Sequence, residues 1–72
     1  MSFDVNNVFM YHAPKGDQPA RYEALRAKAK ELASLIVASC PEARETSLAL
    51  TNLQQSVMWA NASIAINESR DT

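Results

Sequence analysis

One cysteine, one glycine and one histidine are all this 72-residue chain carries of three residue types on which many small proteins rely. With Cys40 alone there is no intrachain disulfide, the usual staple of a small secreted domain. A lone thiol also suits a reducing compartment, most simply a cytoplasm. With Gly16 alone there is no glycine-rich loop to cradle a phosphate. His12, Asp17 and Cys40 show no metal-ligand spacing, so neither a metal nor a cofactor is expected. No apolar run approaches the roughly 18 residues of a membrane span, and Met1 to Met10 lacks the basic start and apolar core of a secretory leader. Seven basic residues against eight acidic ones give a net charge of −1, without the broad basic footprint that DNA or RNA polymers require.

Apolar residues, by contrast, make up 47% of the chain. A chain of this length buries only about 60% of its unfolded surface and is marginal without staples or partners. The spacing predicts a helix over 42–67 that is apolar on two sides. Thr46, Leu50, Leu53, Val57, Ala60 and Ile64 fall on one side; Leu48, Trp59, Ala62 and Ile66 fall nearly opposite. One side can pack within the chain, but the other needs a second copy. Leaving Trp59 uncovered forfeits about 4–6 kcal/mol, at roughly 25 cal/mol per Å² over about 150–250 Å². The chain is therefore expected to self-associate through Leu48, Trp59, Ala62 and Ile66.

The rest of the chain fits an all-α, single-domain reading over 1–72. Residues 1–17 form a short N-terminal helix or arm and a loop, with Pro14, Gly16 and Pro19 breaking regular structure. Asp17 is the expected N-cap of a first long helix over 18–38, with Pro19 in its first turn. Tyr22, Leu25, Ala29, Leu32, Ala33 and Ile36 form its apolar stripe. Arg26 and Lys28 lie at opposite edges of the stripe, and Lys30 points further out. Ser39 and Glu42 match a capping box, so a short turn should lead into the second helix and close an antiparallel hairpin. Residues 68–72 read as a frayed tail.

The chemistry on offer is sparse. His12 as a base and Cys40 as a nucleophile are separated by a helix of about 30 Å. Glu42 and Glu45 sit near a helix N-terminus, where carboxylates favour the macrodipole without any general-acid role. The remaining constellation is Tyr11, His12, Pro14 and Lys15, followed by Arg26 and Lys28. An aromatic ring beside cations suits a nucleotide: the ring stacks on a base for about 1–3 kcal/mol, and the cation pairs with phosphate. Tyr11 as a plain hydrophobic anchor and the cations as a solvated helix face account for the same residues.

Several segments together resemble one phage family. They are Phe9-Met10-Tyr11-His12-Ala13-Pro14-Lys15, Tyr22-Glu23-Ala24-Leu25-Arg26, Cys40-Pro41-Glu42 and Val57-Met58-Trp59-Ala60-Asn61-Ala62. The chain resembles the phage sponges that block CBASS and Thoeris immunity through a shared helical-hairpin domain. That resemblance implies a non-enzymatic homo-oligomer, typically a hexamer built as a trimer of dimers, acting in the host bacterial cytoplasm during infection. It implies that cyclic dinucleotides such as cyclic GMP-AMP bind between subunits, with Tyr11 stacking on a base. Arg26 or Lys28 would pair with phosphate, and His12, Pro14 and Lys15 would shape the pocket. Some members take cyclic trinucleotides at a second site, and the Thoeris branch takes cyclic ADP-ribose isomers. Two departures stand out: Asn52-Leu53-Gln54-Gln55 replaces a common Lys-Leu-Glu-Glu, and Ile66 replaces an arginine associated with the second site. A structural or protein-binding helical oligomer remains the reading from a different class.

Overall fold

A computed structural model describes residues 8, 9 and 11–68. The expected helix or arm near the N-terminus falls mostly outside these residues. The described part is a helical hairpin with no strand: α1 spans Gln18–Ser39 and α2 spans Arg44–Glu68. At 1.5 Å per residue they are about 33 and about 38 Å long. The result is elongated, with extents of 46 × 26 × 18 Å. Its radius of gyration is 15.2 Å, against about 11 Å for a compact chain of this length.

The entry to α1 differs in detail from the expected cap. Asp17 occupies the N-cap position, but its φ of −90° and ψ of 5° do not turn its side chain onto the helix amides, and no side-chain cap forms. Its carboxylate instead reaches Arg21 at 3.2 Å, one turn along. Gln18, the first residue of α1, instead ties down the preceding loop: its Oε1 accepts the backbone N–H of Lys15 at 3.0 Å while its own N–H donates to the Lys15 carbonyl at 2.9 Å. Gly16 sits inside that turn at φ 54°, the left-handed region where a Cβ is penalised.

The turn between the helices corrects a second expectation. Ser39 remains helical as the last residue of α1, so it cannot cap α2. Cys40 precedes Pro41, and a residue before proline is pushed toward extended backbone. Cys40 accordingly has φ −110° and ψ 145°, and its N–H donates to the Ile36 carbonyl at 3.0 Å. The second helix then starts at Arg44, with Glu42 ahead of it and Glu45 in its first turn, favourable to the macrodipole. The Thr46 hydroxyl donates to the Pro41 carbonyl at 2.6 Å, and the Ser47 N–H to the Ala43 carbonyl at 3.2 Å.

Packing between the helices is partial. Thr46, Leu50, Leu53, Val57, Ala60 and Ile64 of α2 are all half-buried, as are Tyr22, Leu25, Ala29, Ala33 and Ile36 of α1. Leu32, expected in the same stripe, lies at its edge and is 46% exposed. Among the described residues no apolar side chain is fully buried. Leu35, Val37, Met58 and Trp59 are exposed, with Trp59 at 74%. Two stacked helices offer each other one stripe apiece, and both carry more apolar surface than that. The face opposite the stripe is not uniform, however: Leu48 and Trp59 are exposed, whereas Ala62 and Ile66 are half-buried.

Candidate functional site

The loop ahead of α1 carries Tyr11, His12, Pro14 and Lys15 in non-helical backbone. Tyr11 is 82% exposed, so its ring face is open for stacking. His12 is half-buried, while Pro14 and Lys15 are exposed. Pro14 fixes its own φ and restricts Ala13, which leaves the segment between Tyr11 and Lys15 few free torsions.

On α1 the two candidate phosphate partners occupy different surroundings. Arg26 is exposed and pairs with Glu23 at 3.6 Å. Lys28 is 81% exposed and pairs with Glu31 at 3.5 Å. Exposed pairs of this kind contribute little and exchange readily, so neither cation is committed to its carboxylate. What separates them is the surface nearby. Arg26 borders two grooves beside the hairpin, whereas Lys28 borders neither. The first groove, about 470 Å³, is lined largely by Ala29, Ala33, Leu50, Leu53, Val57 and Met58. Lys30 is exposed, as its helical position suggests, and lines the same groove. The second groove, about 360 Å³, brings Arg26 together with Tyr22, Asn61, Ala62 and Ala65.

Asn61 was not singled out by residue chemistry. Its side-chain Oδ1 is enclosed and accepts no hydrogen bond. A buried acceptor without a donor is costly, and Asn61 lines the same groove as Arg26. The available signal was a lone amide among the half-buried positions Ala60, Ala62 and Ile64.

Glu68 was also missed, having been read as the start of a frayed tail. It closes the open end of the hairpin. Arg21 Nη1 donates to Glu68 Oε2 at 2.8 Å, and Nη2 donates to Oε1, a two-pronged pair. Gln18 Nε2 donates to the same Oε1 at 3.0 Å. Hydrogen bonds from Arg21 and Gln18 hold the Glu68 carboxyl down to about 2, from an ordinary 4.5. The same contact, with help from Asp17, raises Arg21 above its usual value. Arg21 is thereby tied to two carboxylates, unlike the exposed Arg26 and Lys28.

Among the described residues no three His, Cys, Asp or Glu side chains are grouped to hold a metal ion. No helix among them is long and apolar enough to cross a membrane. The arrangement offers an open aromatic ring on a braced loop, exchangeable cations on α1 and shallow grooves that one chain does not enclose. Chemically, stacking on the ring and pairing with the cations would suit an anion with aromatic faces.

Comparison with known proteins bears on this geometry directly. Residues 4–65 match the family model described as Acb2/Tad1, hairpin domain. No curated protein and no solved structure matches the chain. With the match spanning the loop, α1 and most of α2, the chain belongs to the Acb2/Tad1 hairpin-domain family of anti-CBASS and anti-Thoeris sponges, whose work is binding rather than catalysis.

Proposed function

We propose that this chain sequesters host cyclic dinucleotides, such as cyclic GMP-AMP, without degrading them, so that CBASS effectors are not activated. Tyr11 stacks on a base, Arg26 pairs with phosphate, and His12, Pro14 and Lys15 shape the pocket. Asn61 lines the groove that Arg26 borders. The pocket closes where copies of the chain adjoin, through the side carrying Leu48, Trp59, Ala62 and Ile66, in an assembly of the hexameric, trimer-of-dimers kind.

What supports this reading is an exposed Tyr11 ring in the same chain as grooves beside Arg26 that remain open, although Tyr11 lines neither groove. A sponge needs slow release. Preformed walls contributed by several copies supply it by sparing the ordering cost at each binding event. Arg26 is favoured over Lys28 because only Arg26 borders these grooves.

Calorimetry against cyclic dinucleotides, cyclic trinucleotides and cyclic ADP-ribose isomers tests the assignment. Tyr11→Ala should abolish cyclic-dinucleotide binding with the oligomer mass unchanged, and Arg26→Ala should weaken it more than Lys28→Ala. Ligand recovered intact after heat denaturation supports sequestration. Normal binding by Tyr11→Ala removes the stacking role. Preference for cyclic ADP-ribose isomers moves the protein to the Thoeris branch. No binding to any of them leaves a structural helical oligomer.

A further inference from the structure

A side chain 50 positions further along the sequence bonds to Gln18, the residue that holds the Lys15 backbone. We propose that Glu68 is a positioning residue for the Tyr11–Lys15 loop, acting through the Gln18 amide on the backbone of Lys15. The proposal rests on reading that loop as the ligand loop, and its structural half stands without any ligand.

Gln18 is 5% exposed, the one buried residue among those described, and both ends of its amide are used. Nε2 donates to Glu68 Oε1, and Oε1 accepts from the Lys15 N–H, each at 3.0 Å. A carboxylate only accepts hydrogen bonds, so it dictates which way a facing amide turns. With Nε2 drawn to Glu68, Oε1 has to face the Lys15 N–H. Were the amide reversed, it would set oxygen against carboxylate and NH₂ against N–H, losing both bonds inside a buried site. Glu68 is itself held in place by the two-pronged contact from Arg21, which Asp17 steadies from the other side.

The reach of this relay covers the ring. Tyr11 lies four residues before Lys15, no more than about 14 Å along a fully extended chain. Pro14 and the residue before it remove much of the remaining freedom. Anchoring Lys15 therefore confines Tyr11 before a ligand arrives, and confinement in advance lowers the cost of binding.

Amide hydrogen exchange on the ligand-free protein reads the anchor, and the dissociation rate of a cyclic dinucleotide reads its consequence. Glu68→Ala and Gln18→Met should each speed Lys15 exchange and ligand release by about fivefold to tenfold, with native mass unchanged. The double variant should exceed neither, because both substitutions cut one relay. Glu68→Gln retains an acceptor oxygen and should keep most of the protection. Gln18→Met leaves the Arg21–Glu68 pair intact, so it tests the relay even where Glu68→Ala frays the hairpin. Unchanged Lys15 exchange in Gln18→Met, additive effects in the double variant, or Glu68→Gln exchanging as fast as Glu68→Ala overturns the proposal. A wild-type protein that binds no cyclic nucleotide instead overturns the function, since the exchange data still decide the relay.

Discussion

At the open end of the hairpin a polar side chain, Gln18, is buried and bonded at both ends of its amide, and Arg21 grips Glu68 with two nitrogens. Along the middle and toward the turn, Leu35, Val37, Met58 and Trp59 lie exposed, and no described apolar side chain is fully covered. The usual division of labour is inverted. The Gln18 amide and the Arg21 Nη atoms find partners within one chain, although Arg21 Nε is enclosed without one, whereas apolar surface is left for contacts beyond it. Directional groups suit the first task because they specify one arrangement of loop and helix. Apolar faces suit the second because burial contributes in proportion to area, whatever supplies the cover.

The largest expected effect breaks the apolar side of this contrast. Trp59→Glu places a charge where a second copy should cover an indole and removes about 4–6 kcal/mol of burial. Sedimentation should show the oligomer dissociating, with helical circular dichroism falling at micromolar concentration. An unchanged native mass would remove Trp59 from the subunit contact.

Acid probes the polar side. The folded state holds Glu68 down to about 2 from an ordinary 4.5, so the folded chain binds this proton less readily than the unfolded chain. Its stabilising contribution is complete above about 4.5 and fades as pH falls toward about 2. Arg21 stays charged throughout that window and adds no titration of its own. The thermal midpoint of the wild type should therefore fall between these values, and that of Glu68→Gln should fall less steeply. Parallel curves would mean that the pair does not form in solution.

A smaller effect sharpens the comparison at the loop. At Gly16 an added Cβ meets no atom within 4 Å, yet the backbone φ is 54°. Gly16→Ala should cost about 1–2 kcal/mol through conformation alone, visible as a lower thermal midpoint with unchanged oligomer mass. No loss would indicate that the turn adopts a different φ in the assembled protein.

How much of this could be read from residue order varies with the range of the interaction. The two helices and their facing stripes follow from 3.6-residue spacing, which is local and repeated many times over. The capping signal at Ser39 and Glu42 was local too, but Pro41 acted on Cys40 and ended α1 one residue later, leaving Ser39 inside the helix. Glu68 was misread because its partners lie 47 and 50 positions away, and nothing near it in sequence points to them. Lys30 is exposed, in keeping with its helical position, and also lines the rim of the groove beside Arg26. At the candidate site, Tyr11 and Arg26 stood out as residue types. The groove joining Arg26 to Asn61 did not, since it depends on how two helices set side by side.

Cys40 is exposed at the bend where the chain reverses, about 33 Å along α1 from Gln18. Because it is the sole thiol, one dye or spin label can be attached per copy without disturbing Tyr11 or the Arg21–Glu68 contact. Separations among such labels would then report the symmetry of any assembled particle, with the proposed ligand loop left untouched.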